Sequence, residues 1–300
     1  MDHTNICKVN DGFTLKKEIY KEIPIYRFVI ADKIQTDISD GISLGTCYWF
    51  KQTMYKNIIN PSTHIIMANT IEEKEYYENT SEFNVILANN NGFINENDYI
   101  IKEDIDKKYD LVINSAFQDY KRRYLAKYIP NTIHIGYCHT ANRIEIPTYG
   151  YFANYKNNIV NTNNYKILNR NEISDIYNIS RIGGIFSGVE GACMASSEYL
   201  LSGIPVLSTT SKGGRDVFYN EYNSVICEAN EQSIKNSFDA MILNIDKYDK
   251  YKIRRQHLDM MDEIRNNITY TVKDIIEDKF KETVEFNELK NVLKYYKPNF

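Results

Sequence analysis

Ile185-Phe186-Ser187-Gly188-Val189-Glu190-Gly191-Ala192-Cys193-Met194-Ala195-Ser196-Ser197-Glu198-Tyr199-Leu200-Leu201-Ser202-Gly203-Ile204-Pro205-Val206 is the stretch on which the fold turns. It opens as a buried strand that runs into Glu190. Gly191 then lets the backbone turn closely, a helix follows, and Gly203 with Pro205 ends it before the next strand. Glu190 and Glu198 are separated by seven residues. A helix beginning near Ala192 puts Glu190 at its mouth and Glu198 about two turns in, so both carboxylates can look into one cleft at the carboxyl edge of a sheet. The free N–H groups of Gly191, Ala192 and Cys193, with the positive helix end, make that mouth an anion site. Carboxylates beside such a site suit hydroxyl groups rather than phosphate.

On either side of this stretch, short β-rich runs alternate with segments of helical period, which argues for βαβ units and parallel sheet. Towards the start, Tyr26–Ile30, His64–Met67 and Phe83–Leu87 read as buried strands, with helices over 43–57 and 71–79 between them. The polar segment 90–98 and the charged segment 101–108 interrupt the pattern, and a domain boundary is expected there. Beyond it the spacing predicts strands at 109–114, 132–138, 165–168, 182–187, 205–209 and 223–227. Helices are predicted at 119–128, 171–179 and 192–202, with an irregular segment at 139–164. In 231–245, Ile234, Phe238, Met241, Ile242 and Ile245 share one face of a helix packed on the sheet. From 251 onward the chain is charged and helical.

The whole chain supports this layered reading. Its 300 residues are 43% hydrophobic and 25% charged, ordinary globular values that favour two domains over a disordered chain. With 36 Lys and Arg against 40 Asp and Glu, the formal charge of −4 gives no general attraction to nucleic acid. The five cysteines, Cys7, Cys47, Cys138, Cys193 and Cys227, form no C-x-x-C pair, so neither a disulfide framework nor a zinc knuckle is indicated and a cytoplasmic location is expected. The opening MDHTNICKVNDGF lacks a secretory pattern and no apolar run approaches a membrane span, although a peripheral membrane contact stays compatible. His3, His64, His134 and His257 have no metal-ligand spacing.

Over residues 171–227 the sequence resembles the retaining GT-B glycosyltransferases of the family-4 type. Their signature is E-x7-E, helix, a G-x-P-V strand and a GG loop. Glu190, Glu198, Gly203-Ile204-Pro205-Val206-Leu207 and Lys212-Gly213-Gly214-Arg215-Asp216 stand in that order. Asn171-Glu172-Ile173-Ser174-Asp175-Ile176-Tyr177 looks like the family's preceding helix. In element order the likeness extends over about 109–280.

The resemblance implies an α/β GT-B fold, two Rossmann-like domains facing across a cleft. Residues 1–104 would form a short acceptor domain and 105–285 the donor domain, with 286–300 packing back on the first. It implies transfer of a sugar from a nucleotide diphosphate sugar to an acceptor hydroxyl with retained configuration. No metal and no cofactor beyond the donor are expected, and the acceptor is a glycan, lipid-linked sugar, protein or small molecule. Glu190 would hold the transferred sugar's hydroxyls, Glu198 the ribose hydroxyls, and the amides of Gly191, Gly213 and Gly214 would approach diphosphate and sugar. The family's R-x4-K falls on the run from Ser115 to Arg123, where Lys121 matches the lysine and Ala116 stands at the arginine. Arg122, Arg123 and Arg215 are the candidates for the second cation. Gly41, Ser43 and Gly45 stand where the family has a phosphate or acceptor loop opening a helix, and His139 where a base or sugar pocket forms. Asp104-Ile105-Asp106 has the D-x-D form of metal-dependent transferases but sits in a charged run, and is read as solvated. Two alternatives share this plan: a nucleotide-sugar isomerase of the 2-epimerase type, and a non-catalytic protein that binds a nucleotide-sugar or a partner.

Overall fold

The computed structural model describes residues 7–8, 14–28, 40–46, 61–116, 118–136, 159–160 and 168–295. The chain builds two six-stranded sheets. The first runs β1 (Cys7–Lys8), β2 (Thr14–Tyr20), β3 (Ile23–Phe28), β4 (Ile42–Thr46), β5 (His64–Ala68) and β6 (Asn84–Leu87) in spatial order, antiparallel from β1 to β3 and parallel from β3 to β6. The second has the order β12-β11-β10-β7-β8-β9 and is parallel throughout. Its members are β7 (Tyr109–Asn114), β8 (Thr132–Ile135), β9 (Ile159–Val160), β10 (Ser180–Ile185), β11 (Val206–Thr209) and β12 (Ser224–Cys227).

A parallel sheet is covered on both faces, which is why its strands read as unbroken apolar runs. In β7 the alternation is visible: Val112 packs with Ile133, Ile185, Tyr199 and Val206 on one side. Leu111 and Ile113 pack with Ile182, Leu207, Ile234, Phe238 and Met241 on the other. The first side is covered by α2 (Arg170–Asn178) and α3 (Met194–Leu201), the second by α4 (Glu231–Leu243). α1 (Ile71–Thr80) covers one face of the first sheet through Tyr77 against Ile66. α2 opens with a capping box between Asn169 and Glu172, and Gly203, at φ 73, ends α3.

α5 (Lys250–Ile275), roughly 39 Å long at the helical rise, serves both sheets. Its Ile253 and Met261 enter the core of the second, and its Ile268, Val272 and Ile275 that of the first. Leu289 and Leu293 of α6 (Phe286–Leu293) join Tyr20, Ile25 and Ile42 in the first core. Arg265 on α5 donates to the carbonyls of Gly92 (2.8 Å) and Ile94 (2.9 Å), and Arg254 to that of Glu96 (2.9 Å), fastening the connection between the sheets to the helix. Among the described residues no helix is long and apolar enough to cross a membrane.

Three expected elements differ. A helix is predicted over 43–57, yet 42–46 is β4, paired on both sides; residues 47–57 lie outside the described ones. The expected helix at 119–128 is two tight turns, Asp119–Lys121 and Arg123–Ala126, broken by Arg122 in the left-handed region at φ 49. Leu168, expected in a strand, is irregular, and 165–167 are outside the described residues.

Candidate active site

β10 carries the chain to the carboxyl edge of the second sheet, and α3 starts at Met194 rather than near Ala192, with Cys193 as an extended N-cap. Gly191, Ala192 and Cys193 therefore precede the helix, and the first-turn amides belong to Met194, Ala195 and Ser196. The Ser196 amide is already turned back on the Cys193 carbonyl at 3.1 Å.

Glu190 is held from three sides. Its amide donates to the Lys212 carbonyl at 2.9 Å, its Oε2 accepts the Ser187 hydroxyl at 2.6 Å, and its Oε1 pairs with Lys121. The Glu190 and Lys121 side chains are 14% and 10% exposed, so the pair is largely withdrawn from water but still reachable. Burial pulls the Lys121 ammonium down, the charge and hydrogen bond of Glu190 pull it up, and the balance is upward, so Lys121 stays charged. The Cys193 thiol is pushed up to about 12, by burial first and then by Glu190.

Glu198 has other work. Its Oε1 accepts from the Tyr99 hydroxyl at 2.8 Å and its Oε2 from the Tyr177 hydroxyl at 2.6 Å, and the residue is 6% exposed. Asn114, the last residue of β7, donates its side-chain amide to the Tyr177 oxygen at 2.5 Å. Burial raises the Glu198 pKa, while the tyrosine hydrogen bonds hold it down. In this structure the carboxyl ties α3 to α2 and to the inter-sheet connection, where the family resemblance implies a place at the ribose.

Gly213 and Gly214 are required for packing. At φ 106 and 98 they occupy backbone space that side chains avoid, and a Cβ would lie 2.5 Å from the Glu190 carbonyl oxygen and 2.7 Å from that of Asn69. Asn89 donates to the Gly214 carbonyl at 2.9 Å and Asn91 to the Cys193 carbonyl at 2.8 Å. The ends of β5 and β6 thus meet the loops after β10 and β11, carboxyl edge to carboxyl edge.

The cations separate cleanly. Arg123 is buried against β8, where its Nη2 donates to the carbonyl of Ile135, the last residue of that strand, at 2.6 Å. Arg122 and Arg215 both reach Thr209 Oγ1, at 3.0 and 3.4 Å. Ser115, just after β7, has a buried hydroxyl with no hydrogen-bond partner among the described residues.

Gly41, Ser43 and Gly45 do not form a phosphate loop. Gly41 is a bend whose Cβ would meet the Pro24 carbonyl at 2.2 Å, while Ser43 and Gly45 are interior positions of β4, with Ser43 Oγ 2.5 Å from His64 Nδ1. A buried parallel strand and a helix start both read as small and apolar residues at this length, so the local pattern did not separate them. His139 lies outside the described residues. Asp104 and Asp106 are exposed on the rim of a cavity of about 420 Å³ near the carboxyl ends of α2 and α3, at the opposite edge of the second sheet from Glu190. Among the described residues no group of three His, Cys, Asp or Glu side chains is gathered. Nothing in the sequence marks Tyr99, Asn89 and Asn91, since a turn-rich connection gives no periodic signal, and Tyr177 stands out only as part of the helix before β10.

Residues 152–257 match the family described as Glycosyl transferases group 1. No curated protein matches. The chain superposes on the pneumococcal O-GlcNAc transferase GtfA, solved with UDP and GlcNAc, at TM-score 0.54 and 13% identity, over 80% of this chain and 53% of that one. Sucrose-phosphate synthase from Thermosynechococcus elongatus gives 0.54 and 10%, over 80% and 69%. TarM gives 0.52 and 13%, over 78% and 51%, so the chain spans about half the length of TarM and of GtfA. Two Rossmann-like layers, the first parallel over β3–β6 and the second throughout, meeting at their carboxyl edges and with a group 1 segment in the second, make this a GT-B fold.

Proposed function

We propose that the chain is a retaining glycosyltransferase that takes a sugar from a nucleotide diphosphate sugar, without a metal, and passes it to an acceptor hydroxyl. The observation that carries this is Glu190. It is a mostly buried carboxylate, aimed by Ser187 and Lys121, at the mouth of α3 where the two sheets meet. A fixed carboxylate there accepts the hydroxyls of the transferred sugar and orients its anomeric carbon, which is positioning rather than nucleophilic attack. The departing phosphate takes the acceptor's proton, and the cations around it stabilise the charge that develops. The first sheet, within 1–104, supplies the acceptor side and 105–285 the donor side. The UDP bound to the pneumococcal transferase makes UDP-sugars the first donors to try.

A thermal-shift screen against UDP-, GDP-, ADP- and dTDP-sugars tests the donor. A ligand at 100 times its Kd stabilises by about 2.7 kcal/mol, so the matching donor raises the Tm by several degrees. No shift with any of the four sinks the proposal. Product analysis with donor alone separates transfer from 2-epimerisation, and binding without turnover over an acceptor panel would favour a non-catalytic protein.

A further inference from the structure

The cavity at the amino edge of the second sheet is walled by the inter-sheet connection, the carboxyl ends of α2 and α3, and the first residue of α5. Its volume of about 420 Å³ lies low in the range of about 300–1,000 Å³ spanned by ligand clefts, room for a single sugar ring and its substituents. Lys107 lines it. The residue is exposed, but its ammonium donates to the Asn178 carbonyl at the end of α2 at 2.7 Å, and among the described residues no carboxylate pairs with it. Loss of hydration, then the charges of Lys250 and Arg181, pull its pKa down to about 8, so the charges acting on it are of its own sign. The neighbouring ammoniums are answered, Lys102 by Asp175 and Lys250 by Glu103 at 2.5 Å. Ser202, the cap of α3, lines the same cavity; it is 3% exposed, and its hydroxyl has no hydrogen-bond partner among the described residues. A buried hydroxyl left unpaired is unfavourable, and a ligand oxygen would relieve it. Asp104 and Asp106 on the rim are without ion pairs among the described residues, and Ile101 and Ile105 supply apolar wall. Each part suits a different group of one molecule: the ammonium and the hydroxyl a phosphate, the carboxylates sugar hydroxyls, the isoleucines the C–H face of a ring.

We propose that this cavity is a second ligand site, for a phosphorylated monosaccharide, with the phosphate on Lys107 and Ser202 and the sugar hydroxyls on Asp104 and Asp106. Its occupancy reaches the opposite edge of the sheet through two elements. Ser202 ends the helix that carries Glu198, and two residues before Ile101 stands Tyr99, whose hydroxyl holds the Glu198 carboxyl at 2.8 Å. Arg254, one turn into α5, donates to the carbonyls of both Tyr99 and Leu201. A ligand bridging the connection, α3 and α5 favours the arrangement in which these bonds are made and so tightens nucleotide binding at the far edge; this last step alone rests on the donor reading above.

Titration calorimetry with glucose 6-phosphate, glucose and inorganic phosphate tests the site on the wild type, Lys107→Met, Lys107→Arg, Ser202→Ala and the surface control Lys235→Ala. The wild type and the control should bind glucose 6-phosphate at least about tenfold tighter than inorganic phosphate, with no heat from glucose. Lys107→Met should weaken that binding by about tenfold or more and Ser202→Ala by about threefold, while Lys107→Arg, which keeps the charge, should stay within about threefold. Binding that is unchanged in Lys107→Met, or that is displaced by a nucleoside diphosphate, overturns the site, because the ligand then sits elsewhere. Inorganic phosphate bound as tightly as the sugar phosphate overturns the sugar assignment, and no binding of either overturns the whole. Saturating glucose 6-phosphate should tighten binding of the nucleoside diphosphate chosen by the thermal-shift screen by about threefold or more in the wild type and not in Lys107→Met; an unchanged affinity overturns the coupling. A wild type that binds glucose 6-phosphate as stated but none of UDP, GDP, ADP or dTDP removes the donor reading and leaves the cavity site standing.

Discussion

Glu190 accepts a serine hydroxyl and faces an ammonium, whereas both oxygens of Glu198 end on buried tyrosine hydroxyls, and the two carboxylates respond differently to substitution. Glu190→Gln removes the charge that orders the sugar's hydroxyls, so kcat/KM should fall by about 10- to 100-fold, read by initial rates with the matched donor. Undiminished rates would contradict its role. Glu198→Ala leaves two buried hydroxyls without an acceptor and should lower stability by about 2–5 kcal/mol in urea, while Glu198→Gln, which keeps an acceptor, should lose less. Equal losses would show that the tyrosine bonds do not matter. The spacing of the glutamates was legible from sequence alone. Their division of labour was not, because Tyr99 comes from a connection far away in the chain and only folding brings it to Glu198.

Among the elements, the loop after β11 is the tightest fit. Gly214→Ala would place a methyl group against the Asn69 backbone at a φ that side chains avoid, and a loss of about 2–4 kcal/mol in urea denaturation is expected. A neutral result would mean that the two sheets do not meet there as described. The strand, glycine and helix order of 180–209 was readable because each signal agreed with the next: a buried run, a close turn, a helix closed by Gly203. The segments 43–46 and 119–128 misled for a physical reason. Short runs of small or mixed residues carry weak local preference, and here pairing with β3 and β5, or the left-handed turn at Arg122, decides the outcome.

At the scale of the molecule, α5 joins both cores, so the sheets should unfold together. Ile268→Ala in the first core and Met261→Ala in the second should each cost about 2–5 kcal/mol and shift one transition, with far-UV dichroism and tyrosine fluorescence midpoints coinciding. Separate midpoints would contradict the shared helix. Acid should also destabilise the fold early. Burial holds His64 and His257 near a pKa of about 3 and His134 well below the ordinary value. The unfolded chain binds their protons near pH 6.5 and the folded chain does not, so stability falls as pH drops below about 6.5, by about 2 kcal/mol at pH 5 for each of His64 and His257, with His134 acting in the same direction. A flat urea midpoint between pH 7.5 and 5 would refute this.

The central claim, that the Glu190 site moves a sugar from a nucleotide diphosphate sugar with its configuration kept, is tested most directly by proton NMR of the anomeric signal during turnover. The donor identified by thermal shift is incubated with an acceptor hydroxyl, with and without a chelator. A product of the donor's own anomeric configuration is expected, formed equally in both and largely lost in Glu190→Gln. An inverted product, an epimerised donor, dependence on a metal, or full turnover by Glu190→Gln would contradict it.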